Sequence, residues 1–467
     1  MNGARIESDQ IESGTTRDCD VVVLGLGPGG EYAARKLAEA GLDVVGVDRG
    51  LVGGECPFWG CTPSKLMVRP ADLVAEVHRA DRLAGPATIR PDWSLVAGRI
   101  REANHGWTDA HHVEPLEHAG VQIARGHGRL DGPGAVRVEH AGVTTVFRAG
   151  RGVLLNTGTE PLRLPIEGLA GTPYWTNREA VAATEVPDRL VVVGAGANGL
   201  ELAQAFARFG SQVTLLESAE RVAPQGEPEA GEALTEVLRA EGLDVRTGVE
   251  VERVDHDGRF HVRVAGELLE ADRLLLAAGR HNNLGDIGLE TVGLDPEADT
   301  IDTDGHLRAG ERLWAVGDIT GHGAFTHVSR YQAAGAVADI LGNDGPPADY
   351  RAVPMVIFTD PELASVGMTE QRARDEGLDV RVGVAQIERS ARGWLHGPGT
   401  KGIVKVVADA DRGVLVGATV LAPYGGEIIG MLVTAVHAEV PVERLRTMHF
   451  AYPTFHRTIE AALKGLG

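Results

Sequence analysis

The chain has 467 residues, of which 43% are hydrophobic and 24% are charged, and its formal net charge is -21. This length predicts two to four domains, and the composition is typical of a globular enzyme. The acidic balance argues against nucleic acid and anionic membrane as partners, because both bind basic surfaces. We find no membrane-spanning apolar run and no signal peptide, so we expect a cytoplasmic protein.

A dinucleotide-binding unit is predicted near the start of the chain. The apolar run Asp20–Leu24 is typical of a buried parallel strand, and it leads directly into a glycine-rich turn. A helical pattern and a second strand ending at Asp48 follow within about 30 residues, and this combination is far more specific than the glycines alone. We expect Asp48 to accept hydrogen bonds from ribose hydroxyls. Gly25 would make the tight turn, Gly27 would let a pyrophosphate approach the backbone, and Gly30 would let helix and strand pack closely.

Two of the three cysteines lie close together in the stretch Gly53-Gly54-Glu55-Cys56-Pro57-Phe58-Trp59-Gly60-Cys61-Thr62-Pro63-Ser64-Lys65. Structural disulfides are rare in the cytoplasm, so this isolated pair predicts a redox dithiol. The third cysteine, Cys19, is predicted to be a small buried residue. We predict no metal site, since the histidine-rich run fits no metal-ligand spacing and is expected to be solvated (His105, His111, His112 and His118).

The first motif recurs about 170 residues later. The strand Leu190–Val193 leads into a second glycine-rich turn, and the next strand ends at Glu217. Two tandem units imply two bound dinucleotides. A carboxylate at Glu217 would accept from ribose hydroxyls and repel a 2'-phosphate, which favours NADH, while NADPH stays possible because Arg221 is close in sequence. The glycines of this turn are Gly194, Gly196 and Gly199.

The remaining segments are less specific. Short alternating segments from Val121 to Val153 predict a small antiparallel sheet, and prolines and glycines around residues 161–187 predict a linker. A later strand ends in Gly317-Asp318, where an acid could hold a flavin's ribityl chain. The residues after 350 contain no nucleotide motif, and we expect a structural role there with a function near Tyr452.

The Gly-Gly-x-Cys-x4-Cys-x-Pro-Ser-Lys signature, together with the segment from Phe358 to Gly367, resembles the pyridine nucleotide–disulfide oxidoreductase family. This family of flavoproteins includes dihydrolipoamide dehydrogenase, glutathione reductase and mercuric reductase. The resemblance implies an α/β fold with two Rossmann-like dinucleotide-binding domains, one for FAD and one for NAD(P), and a C-terminal α+β domain that forms a homodimer. The implied division is a disordered tail at 1–17, an FAD-binding domain at 18–165 and 281–345, an NAD(P)-binding domain at 166–280 and a dimer-interface domain at 350–467.

The resemblance also implies residue roles. Cys56 would be the thiol that faces the acceptor, Cys61 the thiol against the flavin, and Lys65 would lie near the flavin and pair with Glu201. The residues implied to contact FAD are Gly25, Gly27, Gly30, Asp48, Gly54, Lys65, Gly128, Thr157, Gly158, Asp318 and Thr326. Those implied to contact the nicotinamide nucleotide are Gly194, Gly196, Gly199, Glu217 and Gly279. Electrons would pass from NADH through FAD to the Cys56–Cys61 disulfide.

One segment departs from the family. Tyr452 stands where the disulfide reductases have a catalytic histidine, and Arg457 stands where they have the glutamate that orients it. An unperturbed tyrosine, with a pKa of about 10, is a poor base at neutral pH. His456 and His449 are the other candidate bases near this position.

This departure leaves the acceptor open among small-molecule disulfides, quinones and metal ions. The leading hypothesis is an FAD-dependent NAD(P)H oxidoreductase with an unidentified acceptor. The alternatives are a dihydrolipoamide dehydrogenase-like disulfide reductase, a quinone or metal-ion reductase, and a non-catalytic flavin-bound protein. A dedicated mercury reductase is disfavoured, because the sequence contains no additional cysteine pair.

Overall fold

A computed structural model describes residues 15–467. In chain order the strands are β1 (Thr15–Leu24), β2 (Val44–Asp48), β3 (Val121–Arg125), β4 (His127–Leu130), β5 (Ala135–His140), β6 (Val143–Leu155), β7 (Thr159–Pro161), β8 (Arg189–Val193), β9 (Gln212–Glu217), β10 (Asp244–Thr247), β11 (Val251–His256), β12 (Phe260–Val264), β13 (Glu267–Ala271), β14 (Arg273–Leu276), β15 (Arg280–Asn282), β16 (Arg308–Gly310), β17 (Leu313–Ala315), β18 (Pro354–Ile357), β19 (Glu362–Gly367), β20 (Val380–Gln386), β21 (Ile403–Asp409) and β22 (Val414–Ala422). The α-helices are α1 (Pro28–Glu39), α2 (Glu55–Phe58), α3 (Cys61–Arg79), α4 (Trp93–Ala103), α5 (Ala110–His118), α6 (Asn177–Val181), α7 (Ala197–Arg208), α8 (Pro228–Ala240), α9 (Thr326–Ile340), α10 (Glu370–Asp375), α11 (Ala391–His396), α12 (Gly425–His437), α13 (Val442–Arg446) and α14 (His456–Lys464).

The described chain divides into two compact units. Unit 1 comprises the residues up to Phe58 together with Asn104–Glu160 and Arg280–Asp349. Unit 2 comprises Trp59–Ala103, Pro161–Gly279 and Tyr350–Gly467. Both units mix helices with sheets, so the predicted α/β class is confirmed.

Unit 1 is built on a sheet with the strand order β16-β17-β6-β1-β2-β3. The strands β17, β6, β1, β2 and β3 run parallel, and Val21, Val22 and Val23 of β1 are fully buried. A continuous apolar run of this kind is what a parallel strand covered on both faces requires. Strand β5 pairs antiparallel with β6, and β4 pairs antiparallel with β5, so these two strands extend the sheet.

Unit 2 contains three sheets. The parallel sheet β10-β9-β8-β14 carries the second glycine-rich turn after β8, and β11, β12 and β13 form a separate antiparallel sheet. The third sheet, β18-β19-β22-β21-β20, is antiparallel and comes from the C-terminal part of the chain. Residues of β21 and β22 share a buried apolar cluster with residues of α12 and α14.

Two sequence predictions need correction. The predicted tail at 1–17 overlaps β1, which begins at Thr15 because its first residues pair with β6; the remainder of that tail lies outside the described residues. The segment from Val121 to Val153 is not one antiparallel sheet, since β3 pairs in parallel with β2. Residues 59–103 fall in unit 2. The division into an FAD-binding, an NAD(P)-binding and a dimer-interface domain stays a prediction.

Residues 59–103 join unit 2 because α3 and α4 contact α7. Asp72 of α3 accepts a hydrogen bond from Arg208 of α7 at 2.7 Å. The ring of Trp93 in α4 stacks on Phe206 of α7 with a centroid distance of 5.0 Å. Neither contact is visible from the local sequence pattern, because the partners are more than 100 positions apart. Among residues 15–467, no helix combines the length and the apolar character needed to cross a membrane.

A buried lysine in unit 2 is surrounded by three carboxylates. Lys405 of β21 is 2% exposed at its side chain and contacts Glu227, itself 2% exposed, at 2.8 Å. Glu229 and Glu370 lie 2.8 and 2.9 Å from the same ammonium group. Burial alone would lower the pKa of Lys405, but the three carboxylates raise it, so the side chain is charged at neutral pH.

We predict that Lys405→Met destabilises the protein by about 3–5 kcal/mol, because the substitution leaves the Glu227 carboxylate buried without its cation. The free energy of unfolding is measured by chemical denaturation followed by circular dichroism. The matched control is Lys401→Met, which removes an exposed ion pair with Glu236 and should cost less than about 1 kcal/mol. Equal losses in the two variants would contradict the prediction.

Candidate active site

The first glycine-rich turn joins β1 to α1 and cannot accept larger residues at two positions. Gly25 has a φ of +95°, and a Cβ atom on Gly30 would lie 1.9 Å from the Gly25 carbonyl oxygen. At Gly27, the residue before α1, the nearest atom to a Cβ would be Asn156 Oδ1 at 3.5 Å. The backbone at the start of α1 is therefore approachable, which suits an anion at a helix N-terminus.

The second turn, between β8 and α7, repeats this geometry. Gly194 has a φ of +103°, and a Cβ on Gly199 would lie 1.9 Å from the Gly194 carbonyl oxygen. Nothing lies within 4 Å of a Cβ placed on Gly196 or on Gly279, the latter with a φ of +118°. The two turns therefore have the same requirement for glycine at the first and third positions and the same open second position.

The acids at the strand ends hold these turns in place. Asp48 Oδ2 accepts a hydrogen bond from the Leu26 amide at 2.8 Å, and Glu217 Oε2 accepts one from the Ala195 amide at 2.6 Å. The second oxygen of each carboxylate accepts from an amide two residues further along (Gly50 and Ala219). Burial raises the pKa of Asp48. The sequence predicted a ribose contact for both acids but not these backbone bonds; the ribose contact stays a prediction.

Asn156, which the sequence analysis did not single out, connects the first turn to the rest of unit 1. Its Oδ1 accepts from the Gly30 amide at 2.8 Å, and its Nδ2 donates to the Val316 carbonyl at 3.0 Å. The next residue, Thr157, has a buried Oγ1 without a hydrogen-bond partner among the described residues. The only sequence signal was a polar residue directly after a buried strand.

Three other glycines predicted to contact FAD have different surroundings. A Cβ on Gly54 would lie 2.9 Å from the Gly27 Cα, so this glycine packs on the turn itself. A Cβ on Gly128 would lie 2.4 Å from the Leu24 side chain, so packing within the sheet explains the glycine there. Gly158 has a φ of +64° and open space around it. Contact with FAD stays a prediction for all three.

A chain of hydrogen bonds connects Asp318 to α2, the helix that carries Cys56. Thr159 Oγ1 donates to Asp318 Oδ2 at 2.7 Å and accepts from Arg280 Nε at 2.8 Å. Arg280 Nη2 donates to Glu55 Oε2 at 3.0 Å, and Glu55 is the first residue of α2. Burial raises the pKa of Asp318. The sequence predicted Asp318 alone. The predicted Thr326 is the first residue of α9.

The two cysteines occupy consecutive helices. Cys56 is half-buried in the short helix α2, and Cys61 is the exposed first residue of α3. The fully buried Phe58 anchors α2, and its carbonyl oxygen accepts from Asn104 Nδ2 at 3.0 Å. A sulfur at the first position of a 19-residue helix lies at the end of the helix dipole that favours negative charge. Asn177 Nδ2 donates to the Trp59 carbonyl at 2.7 Å, which fixes the residues that lead into α3.

The predicted ion pair between Lys65 and Glu201 is present. Lys65 Nζ of α3 lies 2.8 Å from Glu201 Oε2 of α7, and Glu201 is 1% exposed. Glu201 Oε1 also accepts from the Phe358 amide at 2.9 Å, and Lys65 Nζ lies 4.7 Å from the centre of the Phe358 ring. The helix that begins at Cys61 is therefore held to the helix that follows the second glycine-rich turn.

Tyr452 lies at the surface, with 71% of its area exposed. The Arg457 guanidinium lies 5.5 Å from the centre of its ring and forms an ion pair with Glu460 at 3.1 Å. The histidines considered as substitute bases are His456, the first residue of α14, and the exposed His449. This segment thus holds a tyrosine beside an arginine at the two positions where the sequence resemblance implied a histidine and a glutamate.

The structure shows the burial of Cys19 and of the histidine-rich run. Cys19 is buried, as predicted, and burial raises the pKa of its thiol to about 11. Of the histidine-rich run, His105 and His118 are exposed, as predicted, whereas His111 and His112 are half-buried and pack against Phe58. His112 also contacts Glu31 at 2.7 Å. Within the part of the chain that the structure describes, no group of three or more His, Cys, Asp or Glu residues is arranged to hold a metal ion.

Two models of the same protein family match consecutive parts of the chain. A family model described as pyridine nucleotide-disulphide oxidoreductase matches residues 19–335. The model of the dimerisation domain of the same family matches residues 353–463. Together the two matches include both glycine-rich turns, both cysteines of the pair and Tyr452.

Individual relatives and a solved structure agree with this family assignment. A mercuric reductase from Shigella flexneri is 30% identical over 97% of this chain and 81% of its own length. A dihydrolipoyl dehydrogenase from Chlorobaculum tepidum is 32% identical over 96% of this chain and 97% of its own. The Cu(II) complex of the HOCl-induced flavoprotein disulfide reductase RclA from Escherichia coli superposes with a TM-score of 0.84 at 26% identity, covering 96% of this chain and 99% of that one.

Two glycines of the second turn, Gly199 and Gly196, provide a matched test of its role. Gly199→Ala places a Cβ 1.9 Å from a backbone oxygen and should lower the stability of the protein, whereas Gly196→Ala meets nothing within 4 Å and should fold normally. We expect Gly196→Ala to weaken NADH binding at least about 10-fold, because its methyl group would lie where the sequence predicts that the pyrophosphate approaches. Thermal unfolding and NADH titration separate the two effects. Normal NADH binding by a folded Gly196→Ala protein would contradict the assignment.

Proposed function

Because the chain belongs to the pyridine nucleotide–disulfide oxidoreductase family, we propose that it reduces a Cys56–Cys61 disulfide with electrons from NADH and passes them to a small-molecule acceptor. As a member of this family it is a flavin-dependent oxidoreductase that uses FAD and NAD(P)H. The observation that carries the proposal is the Lys65–Glu201 ion pair. It connects the helix that begins at Cys61 with the helix that follows the second nucleotide turn.

The residues around the first turn fit FAD. The buried Thr157 hydroxyl has no partner among the described residues, and such a group is normally satisfied by a ligand or water. The open backbone at Gly27, with Gly54 packed closely on it, would admit a pyrophosphate. Asp48 would accept from ribose and Asp318 from the ribityl chain. When bound, FAD supplies the two-electron chemistry between the nicotinamide nucleotide and the dithiol.

The second turn would hold the nicotinamide nucleotide at Gly194, Gly196 and Gly199. Glu217 supports NADH as the preferred donor, because a buried carboxylate there would repel a 2'-phosphate. Arg221, the residue that kept NADPH open, donates to the Pro224 carbonyl at 2.9 Å and to the Gly226 carbonyl at 3.4 Å. Its Nη2 is thus engaged by the backbone, while its buried Nε has no hydrogen-bond partner among the described residues.

The two cysteines would have different tasks. Cys61, at the start of α3, would hold negative charge next to the flavin, stabilised by the helix N-terminus. Cys56 would exchange with the acceptor, since a thiolate attacks the acceptor sulfur or metal directly. Lys65 would keep a positive charge near the flavin, with its ammonium group oriented by Glu201. Tyr452 would lie beside the acceptor.

The dimerisation-domain match supports a homodimer. In that assembly we propose that Tyr452 serves the dithiol of the partner subunit. Because tyrosine does not exchange protons efficiently near neutral pH, we propose that a quinone or metal ion, rather than lipoamide, is the preferred acceptor. A dihydrolipoamide dehydrogenase-like activity is the second candidate, supported by the 32% identity to the Chlorobaculum tepidum enzyme. A cytoplasmic location also stays a prediction.

The thiol assignment predicts a spectroscopic difference between two cysteine variants. Under anaerobic titration with NADH, the wild-type protein should develop the long-wavelength absorption of a thiolate in contact with the flavin. Cys61→Ala should lack this absorption while binding the same amount of flavin. Cys56→Ala is the matched control: it has no disulfide to accept electrons, so it should show this absorption before NADH is added, while the flavin is still oxidised and Cys61 is a free thiolate. Absorption that survives in Cys61→Ala would refute the assignment of Cys61 to the flavin side.

The acceptor proposal predicts slow reduction of lipoamide and faster reduction of quinones or metal ions in a panel run with NADH and with NADPH. Tyr452→His should increase kcat/KM for lipoamide by about 100-fold, which is the order of general acid–base catalysis. Tyr452→Phe, which cannot shuttle a proton either, should show no such gain. Rapid reduction of lipoamide by the wild-type protein would contradict the proposal.

A further inference from the structure

The C-terminal part of unit 2 contains a cavity of about 240 Å³. It lies between the segment from β20 to α11 and the start of α14, and its polar lining includes Arg389, Arg392, Arg457, Thr454 and Thr458. Pockets that enclose whole small molecules typically measure about 300–1,000 Å³. This cavity is therefore of a size that suits a small polar group rather than a complete cofactor.

The cavity carries positive charge without matching carboxylates. Among the described residues, neither Arg389 nor Arg392 has a carboxylate within ion-pair distance, and Arg457 pairs with Glu460 alone. The Arg392 guanidinium lies 5.5 Å from the ring of Phe455, a geometry that holds it in place. In a chain with a net charge of -21, two arginines without acidic partners at one cavity indicate an anionic ligand.

A buried hydroxyl at the same cavity lacks a partner. Thr458 is 1% exposed, and its Oγ1 has no hydrogen-bond partner in the described part of the chain. The other two hydroxyls in the lining are satisfied, because Thr454 donates to the Ala451 carbonyl and Ser390 donates to the Ile387 carbonyl. Buried hydroxyls without partners are uncommon in proteins, so this one points to a bound acceptor atom.

We propose that this cavity binds a phosphate or carboxylate group. The arginines would supply charge-assisted hydrogen bonds from their planar guanidinium groups, and Thr458 would donate the bond that its hydroxyl lacks. Thr458 lies in the first turn of α14, where the helix dipole favours an anion. The anion is either free phosphate or, resting on the proposed function, an anionic group of the acceptor, since Tyr452 directly precedes the cavity residue Pro453.

Calorimetric titration of the FAD-loaded dimer with inorganic phosphate, at constant ionic strength set by chloride, tests the site. We expect saturable binding with one site per chain, and no saturable binding would overturn the proposal. The absence of binding is also the result expected if side chains of the partner subunit fill the cavity, and the proposal would then be wrong as well. The measurement needs no turnover, so it is independent of whether the proposed function is correct.

Three variants locate the binding. Arg389→Gln should weaken phosphate binding about 10-fold, because it removes one charge-assisted hydrogen bond. Since Arg389 is exposed, the variant should fold normally. Thr458→Val keeps the side-chain shape and should weaken binding several-fold. The control Arg372→Gln removes one positive charge from an exposed ion pair with Glu376 and should leave binding unchanged. Equal affinity in all three variants would refute the site.

Steady-state kinetics decide whether the anion is free phosphate or a group of the acceptor. The KM values of two matched acceptors are compared: lipoate, which carries a carboxylate, and lipoamide, which is neutral. If the cavity binds the acceptor's anionic group, phosphate should raise KM for lipoate and leave KM for lipoamide unchanged, and Arg389→Gln should remove the difference. If free phosphate is the ligand, KM for both acceptors should be insensitive. Failure to reduce either compound would contradict the dihydrolipoamide dehydrogenase-like candidate without affecting the calorimetric result.

Discussion

The close approach of a helix to the end of a strand is the constraint on which both nucleotide turns depend. In each turn, a Cβ on the third glycine would lie 1.9 Å from the carbonyl oxygen of the first (Gly30 and Gly25; Gly199 and Gly194). Because no side chain intervenes, the first amides of the helix lie where a pyrophosphate can reach them. The acid at the end of the next strand then accepts a hydrogen bond from the residue between the first two glycines, so that turn, helix and strand become one rigid element.

The helix that begins at Cys61 is fixed along its length by charged contacts within unit 2. Lys65 near its start pairs with Glu201, and Arg79 at its end pairs with Asp360 at 2.7 Å. Buried ion pairs contribute little net free energy but are costly to break, so they favour one position of the helix over others. The position of the Cys61 sulfur therefore depends on residues that are distant in sequence. A redox thiol that must contact a cofactor requires this kind of positioning.

Local sequence patterns were sufficient to predict the glycine-rich turns, and the family resemblance was sufficient to predict the pair between Lys65 and Glu201. They were not sufficient where a contact joins residues far apart in the chain. Asn156 bonds to the Gly30 amide across 126 positions, and no local pattern distinguishes it from any other polar residue after a strand. The start of β1 at Thr15 was missed for the same reason, because its pairing with β6 extends the strand beyond its apolar residues.

The substitutions at the C-terminal segment change its electrostatics as well as its proton chemistry. A histidine–glutamate pair carries a net negative or neutral charge, whereas Tyr452 with Arg457 carries a positive one that the ion pair with Glu460 partly balances. That charge lies at the same cavity as Arg389 and Arg392, which have no acidic partners among the described residues. A positive cavity would attract an anionic acceptor and repel a bare metal cation. If the anion site and the dithiol serve the same substrate, the metal ion would have to arrive as an anionic complex, and the acceptor panel should therefore include both free and anionically chelated metal.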